Sequence, residues 1–259
     1  MTVVQVEAQN IGNYAFYGCL DLTNVIVPDG VACIGTATFC VCTNLADVTV
    51  PGSVTNIGKN AFDGCLSLTN AVIANGVGGI GASAFCSCSS LTNATVPGSV
   101  ASVGSDAFEY CTSLVNATIA KGVGNLGSYA LWDFPSMTGV YFGGNAPSTI
   151  GATAIYTNNV TAYYLPGTTG WANSFAGAPT VLWNPIIQAS GAAFGVNGNQ
   201  FGFDITSPTN LTVVVEVCTN SFGPNWTPLQ TLTLTNGTGY FSEPLPTNAT
   251  SRYYGLGFP

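Results

Sequence analysis

The chain has 259 residues, 47% of them hydrophobic and only 5% charged, with a formal net charge of -8. Its three cations, Lys59, Lys121 and Arg252, cannot build the basic footprint that nucleic-acid binding or attachment to anionic lipid requires. High hydrophobicity with little charge also excludes a disordered chain, and Thr, Ser, Asn and Gly are left to make a neutral, hydrogen-bonding surface.

The chain opens on MTVVQVEAQN, which has neither the basic start nor the apolar run of a secretory signal. No stretch of about 18 apolar residues follows, so no transmembrane helix is expected. From residue 11 the sequence repeats itself every 23 residues. The pair Ile11-Gly12 recurs at Ile34-Gly35, Ile57-Gly58, Ile80-Gly81, Val103-Gly104 and Leu126-Gly127. An aromatic column runs through Phe16, Phe39, Phe62, Phe85 and Phe108 and ends in Leu131. A cysteine column, Cys19, Cys42, Cys65, Cys88 and Cys111, ends in Phe134. Leucine at 22, 45, 68, 91 and 114, and valine at 31, 54, 77, 100 and 123, hold the same register.

Within one unit, VTVP (48–51) alternates apolar and polar residues and stops at Pro51. VTNIG (54–58) follows a Gly52-Ser53 turn. The AF..C piece reads as a short helical turn. One unit then makes one coil of a solenoid, with like columns stacked at roughly 4.8 Å, and stability is a chain of neighbour contacts.

This pattern, L..I.IP..V..IG..AF..C, resembles the BspA-type leucine-rich repeat over residues 1–147, with Ala71, Ala94 and Ala117 in place of a larger aliphatic. The resemblance implies a mainly β, right-handed leucine-rich-repeat solenoid of about six coils plus a cap. It also implies a bacterial secreted or cell-surface protein linked to adhesion and protein binding, with no common enzymatic activity.

A cysteine at one place in each coil reads as a small buried hydrophobe with a weak donor. Parallel stacked side chains seldom meet disulfide torsions, and with no histidine and no C-x-x-C a metal site lacks its usual ligands. Cys33, Cys40, Cys86 and Cys218 stand outside the column. Cys40 and Cys86 share a second column two coils apart, about 10 Å, with Asp63 between them, and are not expected to pair. Nine cysteines give no redox compartment.

Past residue 134 the columns decay, and residues 148–184 read as a terminal coil and cap, with YYLPGTTGW resembling the close of many such arrays. At the other end MTVV falls on a coil strand, so Thr2, Val3, Val4 and Val6 form a candidate assembly edge. Residues 185–259 lose the period. Short candidate strands separated by Asn197-Gly198, Asn236-Gly237 and Pro224 suggest a small β-sandwich, which resembles the immunoglobulin-like modules of bacterial surface proteins.

No enzyme is expected. Without histidine no Ser-His-Asp or Cys-His arrangement forms, no cofactor fingerprint appears, and the carboxylates Asp63, Asp106, Glu109 and Asp133 look scattered. Sequons at Asn93, Asn116, Asn159, Asn210, Asn225, Asn236 and Asn248 are candidate glycosylation sites, although a chain this rich in Asn and Thr carries several by composition alone. The sequence supports two functional readings. One is a structural subunit assembling head-to-tail into a filament or surface layer. The other is a monomeric adhesin whose solenoid face grips a surface protein or glycan, with Tyr17, Tyr110 and Trp132 as candidate exposed aromatics.

Overall fold

The computed structural model describes residues 2–5, 9–155, 160–207, 212–219, 225–245 and 251–258. Four candidate residues, Val6, Asn159, Asn210 and Asn248, lie outside the described residues. Two compact units are present, the first ending at Leu182 and the second beginning at Trp183.

The first unit is a β-solenoid. Each coil gives one long and one short strand. Short strands at Asn10–Ile11, Cys33–Ile34, Asn56–Ile57, Gly79–Ile80, Ser102–Val103, Asn125–Leu126 and Thr149–Ile150 stack into a seven-stranded parallel sheet. The long strands form two sheets. Thr2–Gln5, Leu22–Ile26, Asp47–Val50 and Asn70–Ile73 pair in parallel, with Thr2–Gln5 at the edge. A second parallel run holds Asn93–Val96, Asn116–Ile119, Gly139–Phe142, Thr161–Tyr164 and Ala178–Leu182, and Ser174–Phe175 turns back antiparallel on the last of these. The 23-residue register is kept: Asn93, Ala94, Thr95 and Val96 lie opposite Asn116, Ala117, Thr118 and Ile119. Between the two sheets one rung is lost at Pro97, which has no N–H to match that of Ala74 on the Val50 carbonyl.

Alternation inside each long strand aims Val48 and Val50 at the core and Asp47 and Thr49 at solvent. The repeat thereby builds one continuous core: Leu45, Val48, Val50, Val54, Ile57, Phe62 and Cys65 of a single coil are all buried. Each such aliphatic or aromatic side chain contributes about 1.5–3 kcal/mol. The phenylalanine column is a ring stack, with centroids of Phe16, Phe39, Phe62, Phe85 and Phe108 spaced 5.1 to 5.3 Å and planes within 10°. At the C-terminal end of the unit Phe142, Tyr164, Trp171 and Phe175 interlock with centroids 4.9 to 5.3 Å apart.

The AF..C segment is not a helical turn, and no helix occurs among the described residues. Its amides alternate. Ala37, Phe39 and Val41 donate to Lys59, Ala61 and Asp63 of the next coil at 2.7 to 2.8 Å, whereas Cys40 and Cys42 donate within their own turn to Ala37 and Phe39. A helix would direct every amide along its own axis; here the next coil's carbonyls take every second one. The pattern demands two left-handed residues per coil, at Tyr14, Ala37, Asn60, Ser83, Asp106 and Tyr129, and at Gly18, Val41, Gly64, Ser87, Tyr110 and Asp133.

In the second unit Ile186–Ile187, Gly195–Asn197, Gln200–Thr206 and Thr238–Pro244 form one antiparallel sheet, and Thr212–Cys218, Thr227–Thr233 and Tyr253–Gly257 another. They pack through Phe203, Phe241 and Tyr254, whose rings lie 5.1 to 5.9 Å apart. Across the sheets Glu243 accepts from Arg252 Nη1, at 2.6 and 2.5 Å on its two oxygens, and from the Tyr254 hydroxyl at 2.5 Å. Burial and the Glu243 hydrogen bond push the Tyr254 hydroxyl up to about 12.

Candidate interaction surfaces of the solenoid

The cysteine column sits inside the coil. Cys42, Cys65, Cys88 and Cys111 are buried, Cys19 half-buried. Each buried thiol donates to the phenylalanine carbonyl of the preceding coil: Cys42 to Phe16 and Cys111 to Phe85 at 3.1 Å, Cys65 to Phe39 and Cys88 to Phe62 at 3.2 Å. Burial pushes the Cys42 thiol up to about 11 and raises those of Cys65 and Cys88 further. The thiols therefore stay protonated, which keeps the donor in place and removes thiolate reactivity. Cys86 is likewise raised to about 11, by burial first. Among the described residues no three His, Cys, Asp or Glu side chains converge as a metal site would need.

The turn segment carries the chemistry of the outer surface. Glu109 comes within electrostatic range of Asp106 in its own turn and of Asp133, 24 positions on, in the next coil; burial and then these two aspartates raise the Glu109 carboxyl. The carboxylates are thus not scattered as the sequence suggests, because a separation near 23 residues is a direct neighbour here. Asp63 stands apart, accepting from Asn60 Nδ2 at 2.8 Å. On the same two coils as the acidic group Tyr110 and Tyr129 are exposed, and Tyr129 meets Trp132 edge to face at 5.3 Å. Tyr17 lies at the far end of the array, beside Tyr14 at 6.0 Å.

Large exposed apolar side chains gather at the start of the array: Tyr14, Tyr17 and Leu20 of the first coil are 60, 55 and 53% exposed, and Ile26 on the long strand of the second is 57% exposed. The strand Thr2–Gln5 pairs with Leu22–Ile26 along one side only among the described residues. Of the sequon asparagines, Asn93 is exposed and Asn116 half-buried, opposite each other in neighbouring strands. Asn225 and Asn236 are exposed in the second unit, Asn236 in a left-handed turn.

The turns between long and short strands follow a double period that the columns conceal. Asp29-Gly30, Asn75-Gly76 and Lys121-Gly122 alternate with Gly52-Ser53 and Gly98-Ser99. The Gly30 amide donates to Ser53 Oγ at 3.1 Å and Gly76 to Ser99 Oγ at 2.8 Å, and each serine donates onward to Val31 or Val77. Asn145 stands where the third serine would be, and its Oδ1 accepts from the Thr169 amide instead. The alternation of x-Gly with Gly-Ser turns was the sequence signal for this.

The BspA type leucine rich repeat region family matches residues 9–138 in six copies. The chain belongs to this family. It is similar to the Treponema pallidum leucine-rich repeat protein TpLRR at 33% identity, over 55% of this chain and 66% of that one, with a TM-score of 0.51. It is also similar to a leucine rich cell surface protein of Faecalibacterium prausnitzii at 29% identity, over 59% of this chain and 42% of that one, with a TM-score of 0.47. The pneumococcal vaccine antigen PcpA shares the fold at 15% identity and a TM-score of 0.52, over 62% of this chain and 41% of that one. The BspA-type chain thus spans two thirds or less of each of these proteins. No curated protein sequence matches it significantly. No catalytic family is indicated, and no helix among the described residues is long and apolar enough to cross a membrane.

Proposed function

We propose that the protein is a non-enzymatic, extracellular surface protein of a bacterium, and that its solenoid binds glycans on the turn face of the fifth and sixth coils. The observation that carries this reading is the juxtaposition of Tyr110, Tyr129 and Trp132 with Asp106, Glu109 and Asp133. Aromatic rings stack on the C–H faces of sugars, and carboxylates accept from their hydroxyls. Membership of a repeat family with surface proteins among its similar structures supports the location. Calorimetric titration with a panel of neutral oligosaccharides tests it. Trp132→Ala and Tyr110→Ala should each weaken binding about tenfold or more; binding untouched by both substitutions, or no binding in the panel, refutes it.

A second reading is favoured by the apolar first coil. Tyr14, Tyr17 and Leu20, with the strand edge at Thr2–Gln5, form a surface onto which another copy's last coil can stack, giving head-to-tail assembly. Electron microscopy over a concentration series should then show filaments that Val3→Asp and Val4→Asp abolish, and single particles at every concentration would end this reading. Covalent glycans at Asn93, Asn116, Asn225 or Asn236 would appear as mass increments on the native protein.

A further inference from the structure

We propose that the turn around Lys121 is a binding site for a sugar carboxylate. Lys121, Gly122, Val123 and Gly124 line an open cavity of about 360 Å³ with Asn145, Ala146 and Ser148 on the next coil. Two features set this turn apart from its equivalents. Lys121 replaces Asp29 and Asn75, so a cation stands where the array otherwise keeps an acid or an amide. The Gly122 amide has lost the serine hydroxyl that Gly30 and Gly76 use, and has no partner among the described residues. Lys121 itself has no ion-pair partner among them either.

The lysine is also held. A Cβ on Gly144 would come 2.8 Å from the Lys121 Cα and 3.2 Å from its Cβ and Cγ, so the stem lies against bare backbone of the next coil. That contact reduces the freedom the ammonium would lose on binding. The donors on offer are a lysine ammonium, an open glycine amide and the Asn145 side-chain amide, while the Ser148 hydroxyl, which donates to the Gly124 carbonyl at 3.3 Å, is left to accept. Together they match a carboxylate next to hydroxyl groups, because ammonium and amide donate to the anion while Asn and Ser serve the ring. In a chain of net charge -8 such a site must rely on local donors. The cavity is the size of one sugar residue rather than of a chain.

The test is a heteronuclear NMR titration of the full chain with glucuronate, with glucose and acetate as controls. Glucuronate should shift the amide resonances of Gly122, Gly124 and Asn145 saturably, glucose should not, and acetate should bind more weakly. Lys121→Gln should raise the glucuronate Kd about tenfold, as loss of one charge-assisted hydrogen bond implies; Lys121→Glu should abolish the shifts. Lys121 is exposed, so folding of both variants is checked by the unchanged remainder of each spectrum. No saturable shift at these amides, an equal response in Lys121→Gln, or acetate binding as well as glucuronate overturns the assignment. The Tyr110 and Trp132 variants leave these shifts unchanged, which separates this site from the glycan face.

Discussion

The glycine that follows Ile11, Ile34, Ile57, Ile80 and Val103 should respond to alanine with opposite sign depending on its coil. At Gly58 an added Cβ would meet the backbone C and O of Gly35 at 2.5 Å and the Ile34 carbonyl at 2.8 Å; at Gly81 it would meet Gly58 at 2.7 Å. Ordinary contact begins near 3.5 Å, so two neighbouring coils must part by most of an ångström. Both sides are backbone within a parallel ladder and neither can rotate away. Gly58→Ala should therefore cost about 3 kcal/mol, the upper end of overpacking penalties. At Gly12 nothing lies within 4 Å of the same Cβ and φ is not positive. Gly12→Ala should stabilise by about 0.4–1 kcal/mol, because it restricts the unfolded chain alone. Guanidinium unfolding of both variants at low protein concentration, compared at unchanged m-value, reads the difference directly. Equal losses at the two positions would refute the idea that coil-to-coil backbone contact, rather than backbone conformation, fixes glycine in this column.

Other perturbations probe separate layers. Val41 is a β-branched residue held at φ 59, where Gly18 and Gly64 occupy the equivalent place in other coils; Val41→Gly should raise thermal stability by about 0.5–1 kcal/mol, as relief of left-handed strain exceeds the entropy of the new glycine. Cys88→Ala should cost about 1–2 kcal/mol and Cys88→Ser less, since serine retains a donor for the Phe62 carbonyl; alanine and serine costing the same would show that the thiol only fills space. The raised column thiols are neutral in the folded state, so the unfolded chain releases protons first as pH climbs. Stability should be constant below the ordinary thiol pKa of about 8.5 and fall as pH rises through it toward the folded value near 11 for Cys42, a decline that Cys42→Ala and Cys65→Ala should flatten. In the second unit Glu243→Gln should cost about 1–2 kcal/mol by weakening the Arg252 and Tyr254 hydrogen bonds, seen as a lower melting temperature in calorimetry.

The solenoid is legible in the sequence because its columns are positions in space: Phe39, Cys42, Leu45 and Val54 recur at 23 residues and all are buried. What the columns do not carry is the direction of the backbone amides. The AF..C spacing suits a helical turn when only its own residues are considered. The carbonyls of Lys59, Ala61 and Asp63 in the next coil compete for the amides of Ala37, Phe39 and Val41 and win. The acidic group was hidden for a similar reason, since Glu109 and Asp133 are separated by 24 positions in the chain and by one coil in space. In the sequence Lys121 is one of three cations that build no basic footprint. Its setting emerges only once Ser53 and Ser99 are known to serve the turn of the coil before them.

Amide direction also decides what form self-association could take. In the turn segment Tyr14, Phe16 and Gly18 donate forward to Thr36, Thr38 and Cys40, and every later coil repeats that sense. The carbonyls of Asn13, Ala15 and Tyr17 consequently face the other way and have no amide donor among the described residues. A second copy presenting its own first coil would set carbonyl against carbonyl, with too few donors to satisfy either. Two first coils therefore cannot satisfy each other turn to turn, and any self-association through these turns is heterologous. If the head-to-tail reading holds, sedimentation velocity should show an open-ended series whose mean mass grows with concentration, and Gly12→Ala, harmless to the monomer, should shorten it by placing a methyl group in the new coil-to-coil contact. A discrete dimer held through these turns would refute the polarity argument, since their carbonyls cannot satisfy one another.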